Sequence, residues 1–140
     1  RPGGIIAVTA WGRSGPFELL RSVVFDAHPE LAEVPRPDAS AWAEQDGLED
    51  RFAGTGAQLV DLEQRIAPLV FGSVEDAADF LGEHSGPVRA TRRAVAELGG
   101  DWDALQARIV EAWRPHARPT ADGIELLAPY GRAILEVGDT

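Results

Sequence analysis

The feature that most constrains the fold is the opening of the chain, where a turn signal precedes an unbroken apolar run. The sequence begins RPGGIIAVTAW, and no charged residue occurs between Arg1 and Arg13. A short β-branched run without charge is typical of a strand buried on both faces, and such strands lie inside sheets. An interior strand needs a hydrogen-bonding neighbour on each side and cover on each face. We therefore expect residues 5–11 to form a central strand and an upstream part to be missing.

The composition limits the class of protein. The 140 residues are 44% hydrophobic and 26% charged, which suits a single domain over residues 1–140. No apolar run approaches the roughly 20 residues of a membrane span, and no leader pattern is present, so we expect a cytoplasmic protein without a membrane partner. Because the chain has no cysteine, disulfides, thiolate metal ligands and a cysteine nucleophile are excluded.

The charge disfavours nucleic acid as a partner. Thirteen basic residues, all arginine, stand against 23 acidic residues, and the net charge is -10. A field of this sign repels phosphate backbones. We therefore expect no nucleic acid among the partners.

The remaining pattern predicts alternating strands and helices. Proline marks an irregular loop over residues 29–40, and Pro129 predicts a break in the last strand. Three successive helices predict a helical insertion at about residues 73–115, and the order of elements suits an α/β domain. The predicted elements after the first strand are a helix from Pro16 to about residue 25, a helix at 41–53, a strand at 58–66 that extends to 71, a helix at about 74–83, a helix between Pro87 and Gly99, a helix between Asp101 and Pro115, and a broken strand at 123–137.

Three residues are candidates for substrate binding. Ligands of open α/β sheets collect beyond the carboxyl ends of the strands, where Trp11 ends the first strand and Phe17 begins the next helix. His84 stands at the junction of two helices, where its side chain can point into a cavity. For Trp11 and Phe17 the alternative is a packing role, and for His84 it is a surface or capping role.

No catalytic or metal-binding motif accompanies these residues. The histidines at 28, 84 and 116 are too far apart in sequence to suggest a metal site by spacing. The glycines at 3–4 and 54–56 precede strands, whereas phosphate-binding glycines follow a strand and precede a helix. No nucleophile elbow is present. The catalytic residues are therefore unknown, and no metal is predicted.

Several stretches together resemble class I S-adenosylmethionine-dependent methyltransferases of the ubiquinone/menaquinone-biosynthesis type. RPGGIIAVTAW (residues 1–11) resembles the turn and fifth strand of that family. FGSVEDAADFL (71–81) and SGPV (85–88) resemble the helical insertion that small-molecule members carry between the sixth and seventh strands. PYGRAILEV (129–137) resembles the final, antiparallel strand.

The resemblance implies the C-terminal half of a Rossmann-like methyltransferase sheet, with a central strand, two further strands and a helical insertion. The family's cofactor-binding parts, a glycine-rich turn and two acidic segments, lie before the Pro-Gly-Gly turn, so no cofactor-binding residue is identifiable in this chain. What remains would shape the pocket for a small-molecule acceptor around Trp11, Phe17 and His84. S-adenosylmethionine is thus the cofactor implied for an intact parent, and the isolated part is expected to be inactive.

Two other functions remain open from the sequence. One is a free-standing α+β ligand-binding or dimerisation module without catalysis. The other is an enzyme of another type that uses His84 as a general base. A sheet that lacks its upstream strands leaves unpaired backbone groups at its edge, so we also expect a homo-oligomer, at least a dimer, with residues 5–10 near the contact.

Overall fold

The computed structural model describes residues 3–35 and 37–138. Two residues of the predicted opening turn, Arg1 and Pro2, and Arg36 of the proline-rich loop lie outside the described residues. Over those ranges the fold is mixed α/β, with five α-helices and an open antiparallel sheet of four strands. The prediction of a domain that combines strands and helices is confirmed. The elements are β1 (Ile5–Trp11), α1 (Pro16–Ala27), α2 (Gln45–Phe52), β2 (Ala57–Phe71), α3 (Val74–His84), α4 (Gly86–Glu97), α5 (Trp102–Trp113), β3 (Arg118–Thr120) and β4 (Gly123–Val137).

The first strand lies at an edge of the sheet, which corrects the expectation of a central strand for this chain. The strand order is β1-β4-β2, and β3 pairs with β4. β1 runs antiparallel to β4, from Ile5 opposite Glu136 to Trp11 opposite Tyr130. The side chains of β1 alternate between exposed and half-buried, and Ile5 is 70% exposed. The apolar run correctly indicates a strand, but a run of apolar residues does not reveal whether other elements cover its two faces.

Two local predictions also differ from the structure. The helix expected at 41–53 is a 3₁₀ turn at Ala39–Ala43 followed by α2, because extended Glu44 separates the two. β4 runs unbroken through Pro129. Gly12 N donates to Pro129 O at 2.9 Å, and the N–H and C=O of one residue in an antiparallel strand face the same neighbour. An N–H at Pro129 would point to Gly12, which lies just after the end of β1, so pairing within β1 loses no hydrogen bond.

The described chain divides into two compact units, and β2 and β4 contribute residues to both. We call residues 3–15, 37–67 and 128–138 the sheet unit. In its core, Leu48 of α2 packs with Ala133 and Leu135 of β4, and all three are fully buried. Ile6 and Val8 of β1 pack against this core from the sheet. One face of the sheet is thus covered by α2 and the Ala39–Ala43 turn.

We call the other unit, residues 16–35 and 68–127, the helical unit. Its core is formed mainly by α1, α3, α4 and α5, and Trp113 at its centre is fully buried. The α3 and α5 predictions are confirmed, and their caps explain where they begin: Ser73 accepts from Asp76 N, and Asp101 accepts from Asp103 N and Ala104 N. No described helix is long and apolar enough to cross a bilayer.

Candidate functional site

The carboxyl end of β1 is the first candidate site. Trp11 packs edge-on against Tyr130 of β4, with ring centroids 6.2 Å apart and an angle of 79° between the rings. Trp11 keeps 44% of its surface exposed. Register places Thr9 opposite Arg132 and Trp11 opposite Tyr130, so these four side chains share one face of the sheet. The structure therefore gives Trp11 an aromatic partner that the sequence analysis did not identify.

Arg13 holds the loop after β1 against the segment before α2. Its Nη2 lies 2.6 Å from Asp38 Oδ2, and its Nε and Nη2 both donate to the carboxylate of Glu44. Asp38 also accepts from Ser40 N and Oγ. These bonds lower the pKa of Asp38 to about 2. The bond from the Ser40 hydroxyl has the largest effect, and the bond from Arg13 has the next largest. The same carboxylates raise the pKa of Arg13.

A row of alternating charges crosses the sheet beside Tyr130. Arg132 Nη2 lies 3.3 Å from Asp61 and 3.1 Å from Glu63 of β2, and Glu63 also pairs with Arg65 at 2.6 Å. The carboxylate of Glu63 raises the pKa of Arg65. Arg132 Nε is buried and has no hydrogen-bond partner among the described residues. This N–H is placed to donate to an acceptor on a group that approaches the sheet face, since buried donors are rarely left unsatisfied.

His84 lies in the helical unit, at the last position of α3. Its ring contacts that of Phe80, with centroids 4.7 Å apart and an angle of 47° between the planes, and Phe80 itself contacts Phe71. Its Nε2 lies 3.8 Å from Glu83 Oε2, beyond hydrogen-bond distance. A general base is usually oriented by such a bond, so the role of His84 in catalysis stays a prediction. An open groove of about 590 Å³ lies beside it, lined by Gly82, Glu83, His84, Arg89, Arg92, Arg93 and Ala96.

Phe17 lies half-buried in the first turn of α1, in the helical unit with His84. It is not among the residues that line the His84 groove. Trp11 belongs to the sheet unit. The predicted roles of Trp11, Phe17 and His84 in substrate binding stay predictions.

The arginines of both candidate sites were not predicted from the sequence, where only histidines and carboxylates were considered for chemistry. Arg13 forms the ion pairs at the end of β1, and three arginines of α4 supply the positive charge of the groove. For the groove a sequence signal was present, because Arg89, Arg92 and Arg93 recur at helical spacing. For Arg13 no local signal exists, since its partners are 25 and 31 residues away.

The expectation that no residue of this chain binds S-adenosylmethionine stays a prediction. The two carboxylates beside the end of β1, Asp38 and Glu44, are both bonded to Arg13. Among the described residues, no group of three or more His, Asp or Glu side chains is placed to hold a metal ion.

Comparison with known proteins adds no identification. A scan against protein-family models finds no match to the chain, and a search of curated proteins finds none either.

Proposed function

We propose that this chain is the C-terminal, acceptor-pocket half of a class I S-adenosylmethionine-dependent methyltransferase that acts on a small molecule. In this proposal the cofactor is held by an N-terminal half outside the sequence described here. The chain alone would then be inactive.

The observation that carries the proposal is the open side of β1. Only β4 pairs with this strand, so its other edge has no strand beside it among the described residues. Ile5 on it is 70% exposed, and Trp11 is 44% exposed. Apolar residues on an unprotected sheet edge invite pairing with further strands. A methyltransferase half would receive those strands from the part that binds the cofactor.

The direction of the strands supports the same proposal. Since β1 and β2 each lie beside β4 in an antiparallel sheet, the two run in the same direction. The family resemblance identifies β4 as a final strand antiparallel to its neighbours, and it places a helical insertion directly before that strand. Three helices, α3 to α5, occupy that stretch between β2 and β4.

In this proposal the C-terminal half needs no acid or base of its own to promote methyl transfer. The methyl group of S-adenosylmethionine is already activated, so the protein mainly has to position the acceptor and exclude water. Apolar and aromatic side chains suit that task. In the proposal Trp11, Phe17 and His84 contact the acceptor, and no residue of this chain is required as an acid or base.

The test compares the chain alone with the chain extended by its upstream reading frame. Isothermal titration with S-adenosylmethionine is expected to show no binding to the chain alone and a Kd of about 1–100 μM for the extended protein. Micromolar binding by the chain alone would overturn the proposal. Absence of binding by a folded extended protein would overturn it as well.

Substitutions in the extended protein test the acceptor contacts. Trp11→Ala, Phe17→Ala and His84→Ala are expected to raise the KM for the acceptor while the Kd for S-adenosylmethionine stays unchanged. Trp42→Ala is the control, because Trp42 packs on Phe52 in the core of the sheet unit. A loss of cofactor affinity in the three variants would contradict their assignment to the acceptor.

A second candidate is a free-standing α+β ligand-binding or dimerisation module. It is favoured by the position of β1 at an edge of the sheet, which this candidate predicts. It is also favoured by the two cores, since Leu48, Leu135 and Trp113 are fully buried within this chain. Such a module would use the open edge of β1 to pair with a second copy. A dimer that persists in the extended protein, together with absence of cofactor binding, would favour this candidate.

A further inference from the structure

Three arginines form a basic stripe on α4. Arg92 and Arg93 lie three and four positions after Arg89, so both neighbour it on one side of the helix. All three are exposed and line the open groove of about 590 Å³ beside His84. We call this the arginine groove.

The cations of the arginine groove have no carboxylate partner among the described residues. Elsewhere the described arginines mostly pair with the abundant acidic residues: Arg13, Arg21, Arg65, Arg114 and Arg132 each form an ion pair. Arg89, Arg92 and Arg93 form no ion pair with any residue in the described ranges. Among the acidic residues that the structure describes, Glu83 alone lines the groove.

Without a bound anion, this arrangement of arginines lowers the stability of the folded chain. Like charges three or four positions apart on a helix repel one another. The first turn of α4 contains no acidic residue, and its N-cap, Ser85, makes no side-chain hydrogen bond. The positive end of the helix is therefore not neutralised from within α4. An anion in the groove would relieve both effects at once.

We propose that the arginine groove binds a compact polyanion, the phosphate or diphosphate group of a small molecule. Guanidinium groups match the oxygens of such a group through paired hydrogen bonds. His84, which also lines the groove, would add a ring N–H donor. The net charge of -10 opposes approach of a nucleic acid or an anionic membrane, whereas a small ligand can enter an open groove. This proposal does not depend on methyl transfer.

The test is a titration of the whole chain with sodium diphosphate at constant ionic strength, followed by NMR of the arginine side chains. The Nε–H signals of Arg89, Arg92 and Arg93 are expected to shift and saturate with a Kd of about 1 mM or tighter. The triple variant with all three changed to Gln is expected to bind at least about tenfold more weakly. The control changes Arg108 and Arg118 to Gln, which removes exposed charge outside the groove, and should alter Kd less than about twofold.

Three outcomes would overturn the proposal. In the first, the signals of the three arginines show no saturable shift. In the second, the control variant loses as much affinity as the triple variant. In the third, the protein sediments with phosphatidylserine vesicles while its arginine signals do not respond to diphosphate. The last result would indicate a membrane surface as the ligand. Should the triple variant lose its dispersed NMR spectrum, the single change Arg92→Gln is used, with an expected loss of about threefold or more. A smaller loss in that folded variant would also overturn the proposal.

Discussion

Arg13 Nη2 lies 2.6 Å from Asp38 Oδ2, and this ion pair joins the loop after β1 to the residue that caps the Ala39–Ala43 turn. Asp38 is thus held by Arg13 on one side and by Ser40 on the other. Both contacts favour the carboxylate form. The end of β1 is therefore fixed by a charge arrangement that responds to acid.

The first prediction concerns the titration of Asp38. Its pKa of about 2 in the folded chain lies below the value of about 3.9 expected when unfolded. The lowered pKa contributes stability that is full above about pH 4 and is lost as the pH falls through about 2. Ser40→Ala and Arg13→Gln are each expected to raise the pKa of Asp38, measured by NMR of its carboxyl carbon.

Arg118→Gln is the control for this titration, because Arg118 is exposed and makes no ion pair with the described residues. It should leave the Asp38 titration unchanged. An Asp38 midpoint near the ordinary value in the unsubstituted protein would refute the arrangement at the end of β1.

The second prediction concerns Trp113 in the helical unit. Its fully buried indole donates Nε1 to Pro16 O at 2.8 Å. Trp113→Phe leaves a void and removes this hydrogen bond, and it is expected to lower the free energy of unfolding by about 2–4 kcal/mol. Urea denaturation measures the loss. Trp11→Phe, at a 44% exposed residue, is the control and should cost less than about 1 kcal/mol; equal costs would contradict the burial of Trp113.

Much of the fold could be predicted from the sequence because it depends on local signals. Capping residues and apolar periodicity located α3 and α5, and the β-branched run located β1. The edge position of β1 could not be predicted, since it depends on which strands are present and not on the strand's own residues. The partners of Arg13 and of Trp11 were missed for the same reason: Glu44 and Tyr130 are distant in sequence, and only folding brings them near.

The third prediction concerns the open edge of β1. Gly12 N donates to Pro129 O. The N–H groups of successive residues in an antiparallel strand point alternately to its two sides, so the even-numbered residues of β1 bond to β4. The N–H groups of Ala7 and Thr9 therefore point to the open edge. If this edge pairs with another strand, we expect hydrogen exchange at Ala7 and Thr9 to slow at high protein concentration, where the chain forms a dimer by light scattering.

The amides of Val8 and Ala10 serve as the internal reference, because they bond to β4 and should be protected at every concentration. Ala7→Pro removes an outward N–H and is expected to abolish the dimer while leaving protection at Ala10. A chain that remains monomeric at high concentration would refute pairing through this edge.

The fourth prediction concerns Gly131, which allows the Ala39–Ala43 turn to lie against β4. A Cβ added at Gly131 would fall 2.7 Å from Ala43 Cα and 2.8 Å from Ala43 O. These are backbone atoms, so a side chain cannot swing aside to make room. Gly131→Ala is therefore expected to lower the free energy of unfolding by about 1–3 kcal/mol in urea denaturation.

Gly86→Ala is the matched control for Gly131→Ala. A Cβ at Gly86 would have no neighbour within 4 Å, and alanine favours the helix that begins there by up to about 1 kcal/mol. The two Gly→Ala changes should thus alter stability in opposite directions. Because the Ala39–Ala43 turn also carries Ser40, displacing it should raise the pKa of Asp38. A destabilised Gly131→Ala variant with an unchanged Asp38 titration would show that the turn does not depend on Gly131.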